Sequence, residues 1–221
     1  MRESCTPPGY FQSMQRRCRS AVPGDHGIST DFERAPAGRV SGRGQRPPGA
    51  TPRAFDVAKI VLAVAAIALA ARFDVPVPGS PVPVSLQTLA VLVAAGVLGP
   101  LRGAVAVTCY LAAGAAGLPI FADGASGVSV LAGPTGGYLF AMIPAAASYG
   151  WAARRFGFRS SLAAALAAHA GILAIGAARL TAFVSEGRAW TVGVVPFLPG
   201  GAIKSILASG MTWGLRRRVI K

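Results

Sequence analysis

The sequence predicts an all-α integral membrane protein with six transmembrane helices and both termini on the cytoplasmic side. Hydrophobic residues make up 52% of the 221-residue chain, and charged residues only 14%. Soluble domains carry about 25% charged residues, and the mean hydropathy here is +0.51. Six apolar segments, separated by turns rich in glycine and proline, and an uneven distribution of basic residues point to the same class.

The net charge of +14 could indicate nucleic-acid binding, but the positions of the charges argue against it. Nine of the 22 basic residues lie in the first 55 positions, and most of the others flank apolar segments. That distribution is typical of membrane topology. We therefore expect the lipid bilayer, and no nucleic acid, as a partner.

Residues 1–54 differ in composition from the rest of the chain. They are rich in arginine, glycine, proline and serine and show no hydrophobic period. Such a segment cannot bury enough apolar surface to fold. We predict a disordered basic N-terminal arm over residues 1–54, followed by a six-helix membrane domain over residues 55–221.

The first apolar segment covers residues 55–72 and carries Ala63, Ala66 and Ala70 at helical spacings. Small residues on one face let another helix approach closely in lipid, although an alanine-rich helix without that role fits the pattern equally well. The second segment is short for a full crossing of about 20 residues. The remaining segments cover residues 85–98, 103–117, 135–153, 160–184 and 199–215.

Two connections are unusual. Residues 73–84 contain four alternating prolines, which forbid a helix and favour an extended chain. Residues 118–139 contain five glycines and two prolines between apolar segments. The second connection is either a plain loop or a folded cap over a site between helices.

The charges set the orientation. With the arm inside, the basic residues after the second, fourth and sixth helices all fall on the same side, whereas the opposite loops carry few. This is a positive-inside pattern. The inner residues are Arg102, Arg154, Arg155, Arg159, Arg216, Arg217, Arg218 and Lys221; the outer ones are Arg72 and Arg188, offset by Asp74, Asp123 and Glu186.

Charged and titratable side chains within the apolar segments are candidate functional groups. Lys204 lies near the outer end of the last segment with no acidic neighbour in sequence. It either meets a carboxylate-bearing ligand or extends to the interface. Arg179 could lie at a similar depth or extend likewise. His169 is interpreted as a packed, neutral side chain rather than a proton relay.

Neutral polar and aromatic groups near the outer side suit a small ligand with amide-like hydrogen-bonding groups and an apolar body. Helix packing explains each of them equally well. They are Gln87, Thr88, Thr135, Tyr138 and Trp190.

The sequence offers no catalytic or metal-binding pattern. It contains no phosphate loop and no nucleophile paired with a base, and its three cysteines have no metal-like spacing. We expect neither an enzyme nor a cofactor site, and Cys109 is interpreted as a small packing residue. Without a nucleotide-binding motif the chain cannot hydrolyse ATP itself, so any energy that it uses must come from elsewhere.

Four segments in order resemble one family. They read PVSLQTLA at 83–90, YLAAGAAGLPIFA at 110–122, GPTGGYL at 133–139 and PFLPGGAIK at 196–204. Together they resemble BioY, the biotin-specific S component of energy-coupling factor (ECF) transporters. The likeness covers nearly all of the chain beyond the arm.

The resemblance implies an S-component-like six-helix bundle in the cell membrane that binds biotin near the outer face. It also implies a transmembrane coupling subunit and ATPase subunits as partners. Lys204 matches the family lysine that contacts biotin, and Gln87 and Tyr138 match motif positions near the site. The alanine face of the first helix would meet the coupling subunit.

One position departs from the family pattern. Gly201 stands where the family usually has an aspartate three residues before the lysine. That change leaves the affinity for biotin open. The alternatives are an S component for a different vitamin and a membrane assembly protein without a transported ligand.

Overall fold

The computed structural model describes residues 54–77 and 79–219, with side chains up to residue 217. These residues belong to one compact unit, Ala50–Lys221. The predicted basic arm of residues 1–54 lies outside them except for Ala54, which begins α1. The elements are α1 (Ala54–Ala71), β1 (Asp74–Val75), β2 (Val84–Ser85), α2 (Gln87–Leu98), α3 (Pro100–Ala115), a 3-10 turn (Ala122–Gly124), α4 (Val128–Ala132), α5 (Gly136–Arg155), α6 (Phe158–Leu180), α7 (Glu186–Gly193) and α8 (Phe197–Val219).

Each of the six predicted apolar segments corresponds to a helix, namely α1, α2, α3, α5, α6 and α8. Within the described part of the chain, α1 and α6 are individually long and apolar enough to cross a membrane. The pair α7 and α8, bent by 43°, supplies a third candidate if it is counted as one broken span. The helical fold is confirmed, whereas the number of crossings stays a prediction.

The surface of the bundle is apolar along the middle of its helices. Phe140, Leu166, Ile203 and Ile206 are each more than 40% exposed. An aqueous surface rarely carries contiguous apolar area of this kind, whereas lipid accepts it. Cys109, expected to be a packing residue, is instead exposed on α3, so that expectation was wrong.

Helix α5 lies at the centre of the bundle. It packs against α6, α3 and α2, while α8 packs against α2 and α6, and α1 against α2 and α3. Its buried positions include Ala141, Ala145, Ala146, Ala152 and Ala153. Small side chains let helix backbones approach closely where there is no hydrophobic force between them in lipid.

The described residues of the proline-rich connection between α1 and α2 contain no helix, as predicted, and are extended at 74–75 and 84–85. The chain additionally forms an antiparallel hairpin, in which Asp74 pairs with Ser85 and Val75 with Val84. The sequence did not indicate this pairing because both strands have only two residues. The hairpin carries the chain back over the bundle and into α2, which begins at Gln87.

Residues 118–139 form a folded connection. The Tyr110 hydroxyl donates to Ile120 O at 2.9 Å, and the Gly127 amide donates to Gly114 O at 2.8 Å. Phe121 is buried against the Tyr110 ring in an edge-on contact, with 5.5 Å between centroids. Of the two alternatives for this segment, the plain loop is excluded.

Two elements differ from expectation. The folded connection contains the short helix α4, and the segment after α6 contains α7, neither of which was predicted. Helix α6 also ends at Leu180 rather than near residue 184. Helices of five and eight residues are too short for a hydrophobic period to be recognised in a sequence.

Gly176 provides a test of the packing between α5 and α6. A Cβ at this position would overlap the Tyr138 ring. We expect Gly176→Ala to lower the free energy of unfolding in detergent by about 1–3 kcal/mol, because the added methyl overpacks the contact. Gly171→Ala on the same helix is the matched control, since its Cβ would meet nothing within 4 Å. Equal unfolding temperatures for the two variants would contradict this packing.

Candidate functional site

A cavity of about 400 Å³ lies between the hairpin, the folded connection and helices α2, α5, α6 and α8; we call it the central cavity. Its volume is within the range of small-molecule sites, about 300–1,000 Å³. Its apolar wall is made by Phe121, Leu139, Met142, Ile172, Leu173 and Phe197. Its polar wall includes Ser85, Gln87, Thr88, Thr135, His169 and Lys204.

Lys204 reaches the central cavity from α8. Its Nζ donates a hydrogen bond to Ser85 O at 2.6 Å, and the side chain is partly buried. Among residues 54–77 and 79–217, no carboxylate forms a salt bridge with it. An ammonium has three N–H donors, so the group can bind a further acceptor inside the cavity.

Gln87 is the first residue of α2 and is only 4% exposed. Its Nε2 is buried and has no hydrogen-bond partner among the described residues. A buried amide donor without a partner costs about 1–3 kcal/mol. Because Gln87 lines the central cavity, a ligand acceptor placed there would satisfy it.

His169 joins three elements around the central cavity. Its Nε2 lies 3.2 Å from Thr88 Oγ1 on α2, and its Nδ1 lies 2.9 Å from Ser205 Oγ on α8. The imidazole is packed, as expected, but it also lines the cavity and has polar partners on both sides. Sequence analysis did not single out Ser205, although its place beside Lys204 was a signal.

Gly201 lies next to this imidazole. A Cβ at Gly201 would be 3.6 Å from His169 Cδ2, which is an ordinary contact. The position therefore has room for a side chain. As glycine, it places no side chain beside the imidazole.

Tyr138 and Thr135 line the central cavity, but their hydroxyls are engaged elsewhere. The Tyr138 hydroxyl donates to Gly193 O at 2.8 Å, and its ring stacks on Phe197 at 6.2 Å between centroids. Thr135 Oγ1 donates to Val130 O at 3.4 Å. These two residues shape the cavity wall and hold α7 and α4 in place.

Arg179 and Trp190 lie outside the cavity lining. Arg179 is exposed, and its Nη2 donates to Ala132 O at 2.6 Å. Its guanidinium also lies over the Phe183 ring. These contacts give Arg179 a role in fixing the end of α4, and Trp190 is 47% exposed on α7.

Two carboxylates lie close together near the hairpin. Burial and the neighbouring Asp123 carboxylate raise the pKa of Asp74 above its ordinary value of 3.8. Asp123 is exposed and lines the central cavity. On the same side, Arg72 Nη2 donates to Pro119 O at 2.7 Å, which ties the end of α1 to the folded connection.

The three predicted partner-facing alanines line a second, apolar depression between α1 and α2, which we call the α1–α2 groove. It has a volume of about 740 Å³. Ala66 is exposed and Ala70 partly exposed, whereas Ala63 is 7% exposed and packs with Leu98 and Ala106. Ala63 therefore serves mainly the contact inside the bundle.

Known proteins with a similar sequence or structure indicate the family of the chain. The model of the BioY family matches residues 45–221. The chain belongs to the BioY family. The resemblance seen in the sequence is thereby confirmed. Subunits of this family bind substrate and are not enzymes, so the prediction that the chain is not an enzyme is confirmed as well.

Relatives of the BioY family extend over most of the membrane domain. The biotin transporter BioY of Thermotoga maritima is 39% identical over 145 residues, which cover 65% of this chain and 86% of the relative. The probable biotin transporter BioY of Pyrococcus horikoshii is 33% identical over 156 residues, covering 71% and 93%.

A solved structure has the same fold. The crystal structure of the S component for biotin from an ECF-type ABC transporter superposes with a TM-score of 0.68 at 25% sequence identity. The match covers 76% of this chain and 95% of that one. Together with the apolar helices, this identifies the chain as a helical membrane protein of the S-component type.

Proposed function

We propose that the chain is the substrate-capture subunit of a biotin uptake transporter in the cell membrane. The observation that carries the proposal is the central cavity, in which the partly buried donor Lys204 Nζ and the buried donor Gln87 Nε2 face a largely apolar wall. Relatives named biotin transporters and the solved biotin S component support the choice of ligand.

Biotin suits this cavity chemically. It has oxygen acceptors at both ends, in its cyclic urea and in its valerate carboxylate, and an apolar body with a thioether. Lys204 and Gln87 would each donate to a ligand oxygen, while Thr88 would contact the urea. Phe121 and Phe197 would pack against the apolar body. Tyr138 and Thr135 would shape the wall, and Arg179 would bind no ligand.

We further propose six membrane crossings with both termini in the cytoplasm. The positive-inside distribution of charges supports this orientation. In this arrangement the hairpin and the folded connection lie outside, so the central cavity receives biotin from the extracytoplasmic side. A salt bridge at the opposite end of the bundle, between Arg102 and Asp56 at 2.9 Å, would then lie near the cytoplasmic surface.

The α1–α2 groove is the proposed docking site for a transmembrane coupling subunit. Its wall is mostly apolar, and the small side chains of Ala66 and Ala70 make the surface of α1 shallow there. Shallow faces of this kind allow close helix approach in lipid. ATPase subunits bound to that partner would supply the energy, because this chain carries no nucleotide-binding motif.

An S component for a different vitamin is the second candidate. Gly201 favours it, since a glycine there removes the aspartate usual in the family and leaves no side chain beside His169. Competition binding distinguishes the two: another vitamin, and not biotin, would displace the bound ligand. An assembly role without a ligand would give copurification with a membrane partner and no bound small molecule.

Lys204 gives the direct test of the ligand site. We expect wild-type protein in detergent to bind biotin in calorimetry, and Lys204→Met to lose on the order of 2–5 kcal/mol of binding free energy. The methionine keeps an unbranched side chain one atom shorter and removes the charge. Lys59→Met, at an exposed position of α1, is the control, and we expect it to bind biotin like wild type.

Two results would count against this assignment. A well-folded wild-type protein that bound no biotin would overturn the proposed ligand. Tight binding that Lys204→Met did not change would retain biotin but remove Lys204 from its site.

The docking proposal predicts a separation of binding from transport. Ala66→Trp fills the α1–α2 groove without touching the central cavity. We expect biotin affinity to stay at the wild-type value while uptake in cells falls at least about tenfold, equal to ~1.4 kcal/mol of docking free energy. The control is Ala167→Trp, at an exposed alanine on α6. Equal uptake by the two variants would exclude the groove as the docking site.

A further inference from the structure

The hydrogen bonds around His169 determine where the proton of its ring lies. Nδ1 lies 3.2 Å from Ala165 O, and a carbonyl oxygen can only accept a hydrogen bond. Ser205 Oγ, 2.9 Å from the same nitrogen, donates its own hydrogen to Gly201 O at 2.8 Å. Ala165 O therefore requires that Nδ1 carries the proton, and Ser205 Oγ, with its own hydrogen on Gly201 O, can accept from the same nitrogen.

In the neutral ring, this arrangement leaves Nε2 without a proton and makes it an acceptor. The neighbour of Nε2 is Thr88 Oγ1, at 3.2 Å. The single hydroxyl hydrogen of Thr88 then points to the imidazole. The free lone pairs of Thr88 Oγ1 remain, and the residue lines the central cavity. Toward a ligand, Thr88 is consequently an acceptor.

We infer that His169 is a positioning residue that fixes the Thr88 hydroxyl as a hydrogen-bond acceptor and so selects ligands with an N–H donor at that point. The inference rests on the proposed function and deepens it. The urea of biotin has both groups that the α2 end of the cavity requires. Its carbonyl oxygen can accept from Gln87 Nε2, and an adjacent N–H can donate to Thr88 Oγ1.

Burial explains why this arrangement is kept. His169 is 6% exposed and Ser205 is fully buried, so neither can readily exchange its partner for water. The chain of bonds runs from the α8 backbone at Gly201 through Ser205 and His169 to Thr88 on α2. If a ligand placed an oxygen acceptor beside Thr88 Oγ1, no hydrogen would lie between the two oxygens, because the Thr88 hydrogen is already directed at His169. Such a contact is unfavourable.

A double-mutant cycle measures this coupling. Biotin dissociation constants would be determined for wild type, Thr88→Val, His169→Asn and the double variant. Asparagine retains a donor near the Nδ1 position and removes Nε2. We expect His169→Asn to weaken binding about fivefold, as for one hydrogen bond, and to have no further effect in the Thr88→Val background. His169→Gln, which retains an acceptor near the Nε2 position, should bind within about twofold of wild type.

The outcomes are distinct. If His169→Asn weakens binding by the same factor with and without the Thr88 hydroxyl, His169 serves packing alone and the inference is overturned. It is also overturned if His169→Asn binds biotin like wild type. A wild-type protein that binds no biotin would overturn the proposed function itself, and this assignment with it.

A measurement on the ligand requires no variant of His169. Biotin methylated at one or the other urea nitrogen loses one N–H donor. We expect one of the two derivatives to bind wild-type protein at least about fivefold more weakly than biotin, with the difference reduced in Thr88→Val. Unchanged binding of both derivatives would overturn the inference even if the His169 variants did not fold.

Discussion

Buried non-helical backbone must pair its polar groups with hydrogen-bond partners, and the two non-helical connections beside the central cavity depend on side chains for some of these partners. The hairpin and the folded connection are held by hydrogen bonds from side chains outside them, two of which lie far away in sequence. Arg72 donates to Pro119 O, Tyr110 to Ile120 O and Lys204 to Ser85 O. The hairpin and the folded connection both line the central cavity, so the shape of the site depends on these bonds.

Lys204 is one of these side chains, and it has two contacts. Its ammonium stabilises the hairpin through Ser85 O and also faces the central cavity. A side chain with both contacts couples the position of the hairpin to the occupant of the cavity.

The sequence predicted most of what lies within single segments. The six apolar stretches gave six helices because their composition alone determines them in lipid. Lys204 and Gln87 were recognisable as cavity groups because polar side chains in apolar helices require partners. The family resemblance gave the ligand, and the family model and relatives support it over the membrane domain.

The remainder depended on contacts between distant segments. The hydroxyl of Tyr138 reaches Gly193, 55 residues away, and so is engaged by α7, a helix too short to be recognised. Arg179 had the depth of a ligand contact, but it points to Ala132 O instead. The role of His169 could be recognised only from its hydrogen-bond partners, Thr88 and Ser205, which lie on two other helices.

The most direct test of this account is a structure of the protein with biotin bound. The account predicts biotin in the central cavity, with one of its oxygens within about 3.2 Å of Lys204 Nζ and its urea beside Gln87 and Thr88. Biotin bound elsewhere, or within the cavity but away from both Lys204 and Gln87, would contradict the account.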